Sequence, residues 1–163
     1  MKAYLSGPIE NAENDGASWR QDMTLWLKDN LNHEVFNPVL ETKNIIGNLN
    51  PSIFRSMKKT DPIEYKNIIR EIIKLDLEAV INDSDYLIVK WDKSVLKGGG
   101  THGEVTMAYW IKKPIFIVNS LSIDDMSSWI FSCSDFIFND FKSLKKKLIQ
   151  LYKGIPNTKR MIK

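Results

Sequence analysis

The sequence predicts an α/β fold, a doubly wound, five-stranded, mainly parallel sheet in one domain, and two observations predict it. Short apolar runs alternate with longer stretches of helical periodicity, the order in which crossover helices join parallel strands. The chain has 163 residues, 43% of them hydrophobic, which suits a single ordinary domain with a sizeable core.

The elements follow in order. Residues 3–5 (AYL) are the first strand candidate. Residues 16–31 carry Trp19, Met23, Trp26, Leu27 and Leu31 at helical spacing, and Val35 and Phe36, closed by an Asn37-Pro38 turn, form a second strand. Residues 40–62 hold Asn, Gly, Pro and Lys without clear periodicity and outrun most connections, so they predict a functional loop or lid, or else a mobile insertion. Residues 63–82 place Ile68, Ile69, Ile72, Leu75 and Val80 on a helix face, and 86–89 (YLIV) is a third strand buried on both sides. A helix at 101–112, strands at 114–118 and 136–138, and a closing helix at 141–152 complete the pattern. Residues 1–163 thus read as one domain ending in a frayed tail at 154–163.

Charge and composition exclude several classes. With 23 Lys and Arg against 20 Asp and Glu, the net charge of +3 is mild and evenly spread, which argues against a nucleic-acid polymer as partner. Lys145, Lys146 and Lys147 read as the solvated face of the last helix. The single cysteine, Cys133, permits no internal disulfide and fits a reducing compartment. No apolar run has membrane-spanning length and MKAYLSGPIE is not a signal peptide, so the expectation is a cytoplasmic protein without membrane contact. No Cys/His/Asp cluster has metal-ligand spacing, and neither a metal nor another cofactor is expected.

In an open α/β sheet, ligands bind beyond the carboxyl ends of the strands. After the first strand comes Ser6-Gly7-Pro8, a rigid turn able to bring backbone N–H groups close to a ligand, and equally an ordinary strand-to-loop turn. After the third, Gly98, Gly99, Gly100 and Thr101 lead into a helix start that favours anions, next to Glu104. A carboxylate in a first helical turn is often only a dipole partner, but the glycines leave room for something bulky beside it. Asp76 falls between Leu75 and Leu77, where an ionised side chain needs a partner or a task. His102 reads as a helix-start residue and His33 as loop. Trp19 and Arg20 read either as core or as the wall of a pocket, with Arg20 holding an anion.

Four stretches, "AYLSGPI", "LDLEAVINDSDYLIV", "GGGTHGEVTMAYW" and "MSSWIFSCSDFIF", together resemble the nucleoside 2-deoxyribosyltransferase superfamily, which includes deoxynucleotide and cytidylate N-glycoside hydrolases. The resemblance implies a flavodoxin- or Rossmann-like sheet. It implies that Glu104 attacks the anomeric carbon of a sugar, that Asp76 protonates the departing nucleobase, and that the Tyr4 hydroxyl holds the nucleophile. It implies no cofactor, and as partners a nucleoside or nucleotide, a free nucleobase and further copies of the chain in a homo-oligomer. Two positions depart from the family pattern: an aspartate usual just before the nucleophile is replaced by glycines, with Asp92 the nearest candidate, and Ser134-Asp135 is followed by Phe136 instead of asparagine. Three functions are therefore expected to compete: deoxyribosyl transfer between bases, hydrolysis of a nucleoside or its 5′-monophosphate, with a phosphate held by Ser6 and residues 98–101, and nucleotide binding without catalysis.

Overall fold

The computed structural model describes residues 1–10, 12–47 and 50–154. Its five strands are β1 (Lys2–Ser6), β2 (Glu34–Phe36), β3 (Tyr86–Trp91), β4 (Ile115–Asn119) and β5 (Phe136–Phe138). They form one sheet in the order β2-β1-β3-β4-β5 with every pairing parallel, so the mainly parallel sheet of the prediction is wholly parallel. Each strand begins or ends within two residues of its predicted bounds, because a run such as YLIVKW, buried on both faces, has no other economical way to satisfy its backbone.

Strand alternation assigns the faces. Ala3 and Leu5 point to one side, where α1 (Ala17–Leu31) and α7 (Phe141–Tyr152) cover them with Met23, Leu27, Leu144 and Leu148. Tyr4, in register with Leu87, points to the other, where it joins Val89, Trp91 and the inner faces of α5 (Gly100–Trp110) and α6 (Ser128–Cys133). Ser6 lies two residues beyond Tyr4 and therefore shares that side. Short α6 carries too few residues for a periodic signal and does not figure among the predicted elements.

Between β1 and β3 the chain reverses its direction of travel across the sheet, and a crevice opens there at the strands' carboxyl ends. Three helices roof it: α2 (Pro38–Ile46), α3 (Pro51–Thr60) and α4 (Pro62–Glu78), the last continuing into a wider π turn over Ala79–Asp83. This corrects the expectation of an irregular segment at 40–62, whose described residues are largely helical. Asn37-Pro38, which read as a turn, and Asn50-Pro51, inside the segment read as a loop or lid, are helix starts. Each asparagine side chain accepts from the backbone N–H two residues on, and each proline occupies a first-turn position where its missing N–H costs nothing. The helix α3 escapes pattern recognition because only Phe54 is buried, while Ile53 stays 58% exposed. Of the predicted tail, residues 155–163 lie outside the described residues.

Candidate active site

Glu104 sits on the inner stripe of α5 with Thr101, Val105 and Ala108, the i, i+3, i+4, i+7 set that faces the sheet. Burial of a lone glutamate among such residues demands hydrogen-bond partners, and β1 supplies two. The Tyr4 hydroxyl donates to Glu104 Oε1 at 3.0 Å, and the Ser6 hydroxyl donates to Oε2. Tyr4 is itself fixed by stacking on Phe36, with ring centroids 5.2 Å apart and planes 9° from parallel. Only 9% of Glu104 remains exposed, and that edge opens into the crevice.

The crevice is a cleft of about 1000 Å³. Its floor is Glu104 with Gly7 and Pro8, one lip is Gly98, Gly99, Gly100 and Thr101, and the opposite wall rises along α4. On that wall Tyr65, Ile69, Ile72 and Asp76 follow one another at i, i+4, i+7, i+11, a single helical face turned to the cleft. The same spacing read as core periodicity in the sequence. It leaves α4 without one fully buried residue because the face looks onto open space. The helices α2 and α3 add Val39, Ile46, Phe54 and Arg55, none of which the sequence singled out. Arg55 pairs across the mouth with Asp15 at 2.5 Å.

Electrostatics separates the two carboxyls. Burial pushes the pKa of Glu104 up, while the Ser6 and Tyr4 hydroxyls and then the positive charge of Arg20 pull it back, all three favouring the ionised form. Asp76 is raised to about 7, first by burial and then by the negative charge of Glu104, with the Tyr4 hydroxyl and Arg20 opposing. Asp76 therefore keeps its proton close to neutral pH, while at Glu104 the hydroxyls of Ser6 and Tyr4 favour the ionised form that burial opposes. Asp76 Oδ1 is buried without a protein hydrogen-bond partner, and the residue lines the cleft, where a ligand can supply one. Two carboxyls in different environments thus share a cleft, an arrangement that lets neighbouring acids divide the work of nucleophile and proton donor.

The expected catalytic trio of Tyr4, Asp76 and Glu104 is brought together here from three elements. Gly7, Pro8, Gly98, Gly99, Gly100 and Thr101, expected to bind substrate, all line the cleft. A Cβ at Gly98, Gly99 or Gly100 would meet nothing within 4 Å, so the protein's own packing does not require glycine there and the space is open to a ligand. Gly7 is different, for a Cβ there would press on Trp19 at 3.1 Å and on the Lys90 carbonyl at 3.3 Å. Ser6 has no exposed surface and is spent on Glu104, which places it behind that carboxyl and out of reach of a phosphate. Arg20, read as a possible anion holder, is also fully buried and faces backbone carbonyls. Asp92 caps the turn after β3 through Ser94 and pairs with Lys90, and Asp135 accepts from the Ile115 N–H, so neither belongs to the site. His102 packs edge-on against Trp91, and His33, read as loop, is buried against Tyr86 and Tyr152.

No family model matches the sequence, and no curated protein matches it. Solved structures do. A 2-deoxyribosyltransferase from Bacillus psychrosaccharolyticus superposes with a TM-score of 0.59 at 16% identity, covering 89% of this chain and 90% of its own. The CMP N-glycosidase BcmB from Clostridium botulinum gives 0.56 at 19% identity, with 93% and 99% covered. A 2-deoxyribosyltransferase from Leishmania mexicana gives 0.54 at 13% identity, with 92% and 97% covered. At such identities the likeness is one of architecture: the chain shares the fold of two 2-deoxyribosyltransferases and a CMP N-glycosidase.

Proposed function

We propose that the protein cleaves the N-glycosidic bond of a deoxynucleoside through Glu104 and transfers the deoxyribosyl group to a second nucleobase. The observation that carries this reading is the pairing of a buried carboxylate, held by two hydroxyls, with a carboxyl that retains its proton to about pH 7 in the same cleft. Glu104 attacks the anomeric carbon, the C–N bond breaks, and its electron pair leaves with the base, which takes the Asp76 proton. The resulting glycosyl ester is then attacked by a nitrogen of the incoming base, which returns a proton to Asp76 and frees Glu104. Tyr4 and Ser6 fix the attacking oxygens, and the walls formed by α2, α3 and α4 exclude water from the ester.

A second reading, hydrolysis of a nucleoside 5′-monophosphate, is favoured by the lip of the cleft. Gly99 precedes the first turn of α5, whose backbone N–H groups suit a phosphate, and Gly98 to Thr101 line the cleft beside Glu104. Water then attacks the ester in place of a base.

One experiment separates the two. Purified protein is incubated with each deoxynucleoside and each 5′-monophosphate, with and without a second free base, and the products are separated by chromatography. A new nucleoside that forms only with added base supports transfer, and free base released from a monophosphate regardless of acceptor supports hydrolysis. Glu104→Ala should abolish both, and undiminished turnover by that variant would refute the assignment of the nucleophile.

A further inference from the structure

Arg20 stands in the structure as a charge without a counter-charge at hydrogen-bonding distance. It projects from the first turn of α1, is 0% exposed, and among the described residues forms no ion pair with a carboxylate. A buried guanidinium is costly unless its five N–H groups are occupied. Here every acceptor is a backbone carbonyl. Nε donates to Leu5 at 3.1 Å, Nη2 to Gly7 at 2.8 Å, and Nη1 to Gly16 at 3.1 Å and to Pro8 and Asp15 at 3.4 Å. The Trp19 ring closes the remaining side, 4.7 Å from the guanidinium carbon.

The five carbonyls belong to two short segments, residues 5–8 and residues 15–16. Leu5, Gly7 and Pro8 surround Ser6 and carry the floor of the cleft, and Asp15 and Gly16 belong to a left-handed turn, with φ of 50° at Asn14, 50° at Asp15 and 67° at Gly16. Gly16 has to be glycine on two counts, since it sits at positive φ and a Cβ would lie 2.5 Å from Arg20 Nη1 and 2.7 Å from the Pro8 carbonyl. The turn is thus moulded around the guanidinium. Because a trans peptide points its N–H opposite to its C=O, the grip on Pro8 also turns the Ile9 N–H away from the buried side, and Ile9 lines the cleft.

We propose that Arg20 is a positioning residue of the active site, whose guanidinium clamps the loop after β1 to the turn before α1 and so fixes Ser6 against Glu104 and the cleft floor against the substrate. This rests on the reaction proposed above for its kinetic consequences, though not for its electrostatic ones. The groups that shift the two carboxyls are Tyr4 and Ser6 from β1, Arg20 from α1 and, for Asp76, Glu104 from α5, while Lys43, Arg55, Glu10 and Asp15 line the wider cleft. Arg20 is the sole cation among the groups that shift them, and it favours the ionised form of both acids.

The test uses Arg20→Lys, which keeps a charge but cannot reach five carbonyls, and Arg20→Met, which keeps the stem and removes the charge. Two readouts are taken: base release against pH, and the titration of Glu104 and Asp76 followed by NMR of carbon-13-labelled carboxyls. With R20K the titrations should stay near those of the parent while kcat/KM falls by about 10- to 100-fold, the cost of displaced reacting groups. With R20M both titrations should move to higher pH and the acid limb of the rate profile with them. If R20M does not fold, Gly16→Ala, which presses on the guanidinium without removing it, should reproduce the kinetic loss. Parental kinetics in R20K, or unmoved titrations in folded R20M, would overturn the proposal, and so would failure of R20K to fold, which would make Arg20 a core residue. A parent protein that releases no base from any substrate refutes the proposed function alone, because the titrations still decide the role of Arg20.

Discussion

Replacing Tyr4 by phenylalanine tests the geometry of the proposed nucleophile most directly, because it removes one oxygen and little else. The phenyl ring keeps its stacking on Phe36 and its place in the core, so folding should survive. What disappears is the 3.0 Å hydrogen bond to Glu104 Oε1. A hydrogen bond to a charged acceptor contributes about 1.5–3 kcal/mol, which corresponds to about a 10- to 150-fold loss of rate if it is made fully in the transition state. The loss stays partial because Ser6 still holds Oε2. A second signature comes from proton linkage. Both hydroxyls lower the Glu104 pKa, so without Tyr4 the carboxylate becomes a stronger base and the acid limb of the pH–rate profile moves up. Initial rates of base release measured across roughly pH 4 to 9 read both effects at once. Base release at the parental rate with an unmoved acid limb would refute the assignment of Tyr4, and with it the claim that Glu104 is held for attack.

Three further outcomes are expected. Asp76→Asn removes the proposed proton donor and should cut base release by about 10²- to 10⁴-fold. The same variant should be more stable above neutral pH, since the folded-state pKa of about 7 lies above the unfolded 3.8 and the parent loses stability as pH rises between them, as urea titrations at two pH values will show. His33, driven down to about 4 mainly by burial, works in the opposite sense. The unfolded chain binds its proton from about pH 6.5 downward while the folded chain does not until about pH 4, so stability falls with acidification across that window and His33→Gln should flatten the slope in the same urea titrations. Arg55→Met breaks the pair with Asp15, whose partners are 40% and 38% exposed, and should change stability by less than about 1 kcal/mol. If that pair holds α3 over the cleft, KM should rise by a clearly larger factor than the melting temperature would suggest, and an unchanged KM would remove α3 from substrate binding.

The parts legible in the sequence are those where one physical requirement acts alone. Strands buried on both faces admit few polar residues, so YLIVKW and PIFIV announce themselves. Glu104 was legible because a carboxylate beside three glycines in a helix start has a short list of uses, and Asp76 because it interrupts an apolar face. The roof was not legible, because its helices satisfy two requirements at once. The face of α4 that carries Ile69 and Ile72 must be apolar for the cleft and exposed to it, so its periodicity looks like core and its burial does not. The helix α3 buries a single aromatic, Phe54, against Tyr65, too little pattern for any window. Arg20 was least legible of all, since its neighbourhood suggested core or an anion-holding wall and nothing in the pattern reveals that five backbone carbonyls, of Leu5, Gly7, Pro8, Asp15 and Gly16, converge on it.

The same arginine explains how one site can hold two acids and still be balanced through a covalent cycle. With Glu104 ionised and Asp76 protonated, the starting state the proposed reaction requires, the charges of Glu104 and Arg20 leave the cluster neutral. On the proposed reaction Glu104 loses its charge when it becomes an ester, and Asp76 gains one when it gives its proton to the leaving base. The cluster is neutral again, with the negative charge moved from α5 to α4 and the cation fixed between the strand loop and α1. In a cavity of low dielectric, where an unbalanced charge is severely penalised, that constancy keeps the glycosyl-enzyme from being electrostatically disfavoured relative to the free enzyme. Return of a proton to Asp76 from an incoming base N–H or from water is equally balanced. Charge therefore does not choose between transfer and hydrolysis. The choice falls to occupancy: a second base that fills the apolar wall of Ile69, Ile72 and Phe54 displaces the water that would otherwise reach the ester, and widening that wall should shift the products toward hydrolysis without altering the first chemical step.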